Sequence, residues 1–540
     1  MYPTEDADVN LLVIDQFKKS FNYEIGYSHH SFGDLPLVIA YIKGADVFLG
    51  LSAKGALSKE MVKKPNVILF LIDDLGWSDL SLTGSKFHET PNVDRLAREG
   101  AFFSDAYAAS SVCSPSRASI LTGKYPSRIK MTYISGTSGP KGPGYQLNAP
   151  KIVGNINSKD ITLAEALRSH KYKTVHIGKW HLQNHTDKGK THYPEKHGFD
   201  INIAGFRMGQ PGSYYFPYKS ERHPNTNVPG LEDGKEGDYL TDALTDQAIQ
   251  FIRKNKAQPF FINFWYYTVH TPIQAKKEKL QKYTEKAKRL GLDPKPNKGI
   301  PVWQSRARSE QSSPAYACMV ESMDENIGRL LETLKQENLE NDTLIIFFSD
   351  NGGLSTGSGG NMPTSCLPLR AGKSWLYEGG IRVPLVLRMP GKIKPGLRIK
   401  EPVISTDLYP TILDLLNLPA MPTQHRDGKS LKPLLNGKKE TMDREALYFH
   451  YPHYHHINSM GPSGAIRMGK YKLIEVFETG KIELYNLEDD IGEQNDLVDK
   501  RLKVKERLLN SLHQWQKKSG ADLPEINPDY LAEKDFRHKK

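Results

Sequence analysis

Cysteine is scarce in this chain: three in 540 residues, at Cys113, Cys318 and Cys366. A small, odd number excludes a disulfide framework as the source of stability. It leaves export open, because a chain this long builds its core without staples. Long apolar runs are missing too. The nearest, Leu35 to Leu51, is broken by Lys43 and Asp46, short of the ~18–20 residues of a membrane span. The first 60 residues lack a basic segment followed by a clean apolar one, so no signal peptide is readable. Met61, directly before the first strong strand, is a candidate start. The 44 glycines and 34 prolines are dispersed, which excludes collagen-like and low-complexity classes. No internal repeat is found.

Acidic residues are outnumbered, 62 against 73 Lys and Arg, for a formal net charge of +11. A basic balance suits a polyanionic partner. No nucleic-acid motif accompanies it, so nucleic acid is not expected. The Lys-rich stretch Lys276 to Lys298 reads best as a solvated helix face and loop. With 38% hydrophobic and 25% charged residues, the chain has an ordinary globular composition.

Buried-strand patterns recur along the chain. Val67–Ile72, Thr174–Ile177, Pro259–Phe264, Leu344–Phe348 and Pro384–Leu387 are short apolar runs, and helical patterns separate them. This predicts an α/β fold with a large, mostly parallel mixed sheet flanked by helices. Beyond about residue 420 short half-exposed strands (471–476, 482–486) and a helix from Arg501 to Gly520 predict a smaller C-terminal α+β subdomain with a short antiparallel sheet. The expected divisions are an extension over 1–62, a catalytic domain over 63–420, the subdomain over 421–525 and a polar tail over 526–540. Polar residues follow the strand ends, where open α/β sheets place ligands. Asp73, Asp74, Lys179, His181, His270, Asp350 and Asn351 are therefore expected on one rim.

Cys113-Ser-Pro-Ser-Arg117 is the densest chemical signal. Ser114 suits a helix cap and Pro115 a first helical position. Cys113 would then sit at a helix N-terminus, where anions are favoured, with Arg117 one turn on along the same face. Asp73, Asp74, Asp350 and Asn351 offer hard oxygen donors without clustered Cys or His. Such a set selects Ca²⁺ or Mg²⁺ over Zn²⁺; either pair alone reads more readily as a turn or cap, and it is their joint placement after buried strands that favours a metal. Gly372-Lys373-Ser374 and Gly428-Lys429-Ser430 mimic the end of a phosphate-binding loop, but Leu367 and Thr423 stand where its first Gly belongs, which excludes that motif.

Cys113-x-Pro115-x-Arg117 with Leu121-Thr122-Gly123 resembles the signature of the type I sulfatases of the alkaline phosphatase superfamily. Gly178-Lys179-Trp180-His181-Leu182 resembles the family's second signature. Val67–Trp77, Thr90–Leu96, His270-Thr271-Pro272, Ser349–Gly353, Lys373–Pro384, Asp427–Leu431 and Leu484–Glu488 match as well. The resemblance runs from about residue 63 to 520. Gln183 departs from it, standing where many relatives have Gly, and residues 1–60 match nothing in the family.

The resemblance implies a sulfatase in which Cys113 is oxidised by a formylglycine-generating or equivalent maturation enzyme. The resulting aldehyde hydrate attacks through one hydroxyl, and the second hydroxyl expels sulfate, which a plain Ser ester could not do. It implies one Ca²⁺, with Mg²⁺ second, held by Asp73, Asp74, Asp350, Asn351 and residue 113. Arg117 steadies the hydrate, Lys179 and Lys373 grip sulfate, His270 is the acid and His181 the base, the last two being exchangeable. It also implies a sulfated polysaccharide or its oligosaccharides as substrate, and a periplasmic or secreted location. The run His450–His456 followed by Arg467 supplies candidate sugar-contacting residues: His453, His455 and Arg467. Two alternatives stay open: a formylglycine-dependent phosphonate monoester or phosphodiester hydrolase, and a non-catalytic carbohydrate-binding relative.

Overall fold

The apolar run after Pro65 has no polar face: all seven residues of strand Asn66–Ile72 are buried. A strand of this kind must be covered on both sides. Its alternate side chains enter two separate cores. Ile68, Phe70 and Ile72 pack with Leu244, Ala248 and Phe251 of helix Leu240–Asn255 and with Met319, Met323 and Ile327 of helix Pro314–Gln336. Val67, Leu69 and Leu71 pack with Ala118, Ile120 and Leu121 of helix Cys113–Thr122 and with Leu408 and Ile412 of helix Leu408–Leu415. Each fully buried Leu, Ile or Phe contributes ~1.5–3 kcal/mol, so this strand is fixed in register and in facing.

The computed structural model describes residues 64–539, apart from 138, 188, 296–298 and 358–361, together with four strands within the first 58 residues. The chain divides into two units, Met1–Lys64 and Pro65–Lys540. In the first, strands Ile25–Phe32, Leu35–Ile42, Phe48–Leu51 and Leu57–Ser58 pair antiparallel in sequence order. The rest of the extension expected over 1–62 lies outside the described residues.

The second unit is built on a nine-stranded sheet. Strand Asn66–Ile72 lies between Thr343–Ser349 and Phe260–Trp265, parallel to both. Lys173–Gly178 and then Ile201–Ile203 extend the sheet on one side, also parallel. On the other side Arg382–Arg388 runs antiparallel to both its neighbours, Thr343–Ser349 and Ala101–Tyr107. Leu397–Ile399 and Val403–Ile404 close that edge, parallel to Ala101–Tyr107. This is the large mixed sheet flanked by helices that the strand pattern predicts. Strands Leu447–Tyr451, Ser463–Met468, Tyr471–Val476 and Lys481–Asn486 form the C-terminal antiparallel sheet. Helix Leu502–Ser519 covers it through Leu508 and Leu512, against Ile466, Leu473 and Leu484.

Buried charges join this sheet to the main one. Lys472 meets Glu378 at 2.9 Å and Glu493 at 2.8 Å, all three without side-chain exposure. Arg467 pairs with Asp105 at 2.7 Å and donates to the Tyr107 hydroxyl. Arg467 is therefore a structural cation, not the sugar contact expected of it. Removing one partner from such a cluster costs ~3–5 kcal/mol. The polar tail is packed: Phe536 stacks on Tyr145 at 5.0 Å, and Arg537 pairs with Glu478 at 2.9 Å. The Lys-rich stretch forms helix Lys277–Arg289, where Lys279, Lys282 and Lys286 are paired with Glu325, Glu321 and Glu89. Among the described residues no helix is long and apolar enough to cross a membrane.

Candidate active site

Four parallel strands of the main sheet end at one rim, and the loops that leave them carry the chemistry. Asp73 and Asp74 follow Asn66–Ile72, and Asp350 and Asn351 follow Thr343–Ser349. Lys179 and His181 follow Lys173–Gly178, and His270 lies five residues beyond Phe260–Trp265. Asp74 and His181 adopt left-handed backbone, with φ of 57° and 60°. Each costs of order ~1–3 kcal/mol for a non-glycine residue, and both turn at the rim. Gly352 and Gly380 let the Lys373 loop close on Asp350: Gly352 donates to the Gly380 carbonyl at 2.9 Å. A Cβ on Gly352 would lie 1.8 Å from the Gly379 carbonyl oxygen, so only glycine fits there.

Helix Cys113–Thr122 comes up beneath this rim. It begins two residues earlier than its sequence suggests, with Val112 as N-cap and no side-chain cap. Ser114 is not the cap; its hydroxyl accepts instead from the Ser135 N–H at 3.0 Å. All ten helix residues are buried, so the hydroxyls bond locally, Ser116 to the Ser110 carbonyl at 3.0 Å and Ser119 to the Ser116 carbonyl at 2.7 Å. Arg117 donates to Asp350 Oδ2 at 2.9 Å and to the Lys179 carbonyl at 2.9 Å. Its guanidinium lies 5.1 Å from the centre of the Trp265 ring, a further hold on its plane.

The carboxylates are held by buried ammonium groups. Lys179 Nζ donates to both oxygens of Asp73, at 2.8 and 2.7 Å. Lys373 Nζ donates to Asp74 Oδ2 at 2.7 Å and lies 3.1 Å from His270 Nε2. Asn351 Nδ2 donates to Asp74 Oδ1 at 2.8 Å, while its buried Oδ1 has no hydrogen-bond partner among the described residues. Ligand atoms of Asp73, Asp74, Cys113 and His270 lie within 4.8 Å of one another. Asp350 is placed differently, accepting from Arg117 and from the Asp74 N–H at 3.2 Å.

Charge is unevenly shared within this cluster. Burial pushes the Asp73 carboxyl up to about 8 despite the adjacent Lys179. Burial acts upward on Asp74 as well, but Lys373 and then His270 outweigh it and hold that carboxyl well below the usual range. Burial, with Lys373, pushes His270 down to about 3, and burial with Lys179 pushes His181 well below its usual value. Both shifts favour the neutral ring. Burial pushes the Cys113 thiol up to about 11, so as a thiol it stays protonated and a poor nucleophile at neutral pH.

A cleft of about 450 Å³ opens above this floor, with Cys113, His181, His270 and Lys373 at its base. His455 and His456 form part of its wall. His453 does not reach it: the ring is 1% exposed, bonded to Thr132 Oγ1 at 2.8 Å and packed on Tyr133 at 4.8 Å. The expectation that His453 contacts sugar is thereby corrected. His450, Tyr451 and Tyr454 of the same run are buried too. Further lining comes from Met208, Gly209, Gln210, His223, Asn225 and Thr226, a segment not expected at the site. It lies in a long loop without helical or strand periodicity, so no pattern marked it.

Comparison with known proteins places this geometry. The sulfatase family model matches residues 65–418, and the N-sulphoglucosamine sulphohydrolase C-terminal model matches residues 371–518. A NeuB family model matches residues 1–48, outside that stretch. A sulfatase of Formosa agariphila is 31% identical, over 87% of this chain and 92% of its own length. Mouse N-acetylgalactosamine-6-sulfatase is 31% identical, over 75% of this chain and 72% of its own. The crystal structure of Ps i-CgsB in complex with k-i-k-neocarrahexaose superposes with a TM-score of 0.65 at 30% identity, covering 87% of this chain and 94% of that one. The chain belongs to the type I sulfatases of the alkaline phosphatase superfamily and is a sulfuric ester hydrolase.

Proposed function

We propose that this enzyme removes O-sulfate groups from a sulfated polysaccharide or its oligosaccharides, using residue 113 as formylglycine and one calcium ion. The observation that carries the reading is the convergence of Cys113, Arg117, Lys179, His181, His270 and Lys373 on the acidic cluster at the cleft floor. The sugar is supported by the Ps i-CgsB complex with a neocarrahexaose and by the N-acetylgalactosamine-6-sulfatase relative.

The residues present fit a hard divalent cation. Adjacent buried carboxyls, one driven toward protonation, form a site short of positive charge. The unpartnered Asn351 Oδ1 is a neutral oxygen donor beside them, and an oxygen-rich set suits Ca²⁺. Asp73, Asp74, Asn351 and Asp350 would hold the ion with residue 113, which would draw charge from the sulfate oxygens. Formylglycine at 113 would supply, as its hydrate, an oxygen nucleophile and a second hydroxyl for release.

The chain's own groups do the rest. Lys179 and Lys373, with their carboxylate partners shared with a cation, are left to hold sulfate oxygens where charge builds. Arg117 fixes Asp350 and the floor of the site. His270 Nδ1 donates to the Thr271 carbonyl at 2.9 Å, which leaves Nε2, 3.1 Å from Lys373 Nζ, as the proton-exchanging atom. His270 is assigned as the acid to the leaving alcohol and His181, whose Nδ1 has no partner, as the base. An anionic sulfate beside these neutral rings would raise their pKa values and favour proton uptake.

Parallel assays on an aryl sulfate, sugar sulfates, a phosphodiester and a phosphonate monoester test this reading. Sulfate esters are expected to be preferred by at least ~10²-fold in kcat/KM. Faster turnover of the phosphorus esters would favour the phosphonate or phosphodiester hydrolase reading, and no turnover of any ester the carbohydrate-binding one. Gly209→Ala tests the role of His181. The added Cβ would lie 2.3 Å from His181 Cε1, displacing the ring. A ~10- to 100-fold loss of kcat is expected with the melting temperature held; unchanged kinetics would remove His181 from the proton transfers.

A further inference from the structure

The walls of the cleft differ in chemistry from its floor. Among the described residues that line it, Lys373 alone carries a fixed positive charge, and that ammonium is engaged with Asp74. Above it stand amides and a hydroxyl, Gln210, Asn225 and Thr226, and the imidazoles of His185, His223 and His455. Among the described lining residues there is no Trp, Tyr or Phe, and so no ring-stacking platform of the kind common in sugar sites.

The amide-bearing wall is fixed rather than loose. Gly212 donates to the Thr226 carbonyl at 2.8 Å, closing the segment on itself. The Tyr214 hydroxyl lies 2.5 Å from the Tyr267 carbonyl and 2.9 Å from the His270 carbonyl. The wall that meets substrate is thus bolted to the loop bearing His270. His185 Nε2 donates to the Arg207 carbonyl at 3.0 Å, and the ring stacks at 6.0 Å on His181.

We infer that the sugar unit seated in this cleft carries one sulfate and no second anionic group, its hydroxyls being read by Gln210, Asn225 and the imidazoles of His185 and His223. This rests on the reading of the enzyme as a sugar sulfatase. A carboxylate or second sulfate is normally matched by a planar Arg fork or a free Lys. With Lys373 the one fixed cation among the described lining residues, and taken up by the first sulfate, a second anion would be left desolvated and unmatched. The amides of Gln210 and Asn225 instead pair both as donor and as acceptor, which is what sugar hydroxyls require, and an imidazole adds a ring N–H donor.

The test is a comparison of kcat/KM for monosulfated neutral oligosaccharides against matched ones whose sulfated ring bears a second sulfate or a uronate carboxylate, with p-nitrophenyl sulfate alongside. The monosulfated neutral member is expected to be preferred by at least ~10-fold. Asn225→Arg, which places a guanidinium on the wall, is expected to narrow that ratio. Equal or faster turnover of the doubly charged members by the native enzyme would overturn the inference while leaving the sugar reading intact. Hydrolysis of p-nitrophenyl sulfate with no sugar of either kind accepted would overturn the sugar reading itself.

Discussion

Cys113→Ala is expected to lower kcat on any sulfate ester by at least ~10⁴-fold, the scale on which loss of a nucleophile falls, with an unchanged melting temperature. The position is 2% exposed at the start of a fully buried helix. Deleting one sulfur there leaves every hydrogen bond of Arg117, Ser116 and Ser119 in place. The fold therefore stays, and only the reacting atom goes. Cys113→Ser separates nucleophile from release: a single hydroxyl can take the sulfuryl group but cannot expel it, so at most one turnover per enzyme is expected. Steady-state kinetics with a single-turnover burst measure both. Activity of Cys113→Ala within tenfold of the native enzyme would refute the assignment.

Removal of divalent cations is expected to cost at least ~10²-fold in kcat, restored by calcium. The physical reason is the charge balance of the cluster. Asp73, Asp74 and Asp350 crowd the floor, and burial drives Asp73 toward protonation at about 8. Lys179 and Lys373 pair with Asp73 and Asp74 at 2.7 Å each, and a cation shared by those carboxylates would release both ammonium groups for sulfate. The same treatment is expected to lower the melting temperature, because an ion that binds only the folded state at ~100 times its Kd stabilises by about 2.7 kcal/mol. Asp350→Ala should behave likewise and lose the restoration by calcium. Full activity after exhaustive chelation, with no shift in melting, would count against the metal site.

The rim was readable because each of its residues follows a short apolar run, and such runs leave little choice of structure. Asp73, Asp350 and Lys179 sit one residue past strands whose members are all buried or nearly so. The helix start at Cys113 was off by two residues because Ser114 and Pro115 satisfy local capping preferences, while tertiary packing gave the Ser114 hydroxyl to Ser135. His453 and Arg467 failed for a related reason. An aromatic-rich run and a lone Arg carry no period that separates inside from outside. Tyr133 and Thr132 drew His453 inward, and Asp105 drew Arg467 into the buried charge seam. The wall from Met208 to Thr226 left no trace at all, since its residues are set by loop contacts such as Tyr214 to Tyr267 that span more than fifty positions.

The most direct measurement is the mass of the peptide containing residue 113, taken from fully active enzyme made in a host that supplies the maturation activity. The account predicts an aldehyde at that position, captured by a hydrazine reagent, in proportion to activity. Full activity with residue 113 recovered only as an unmodified thiol would contradict it.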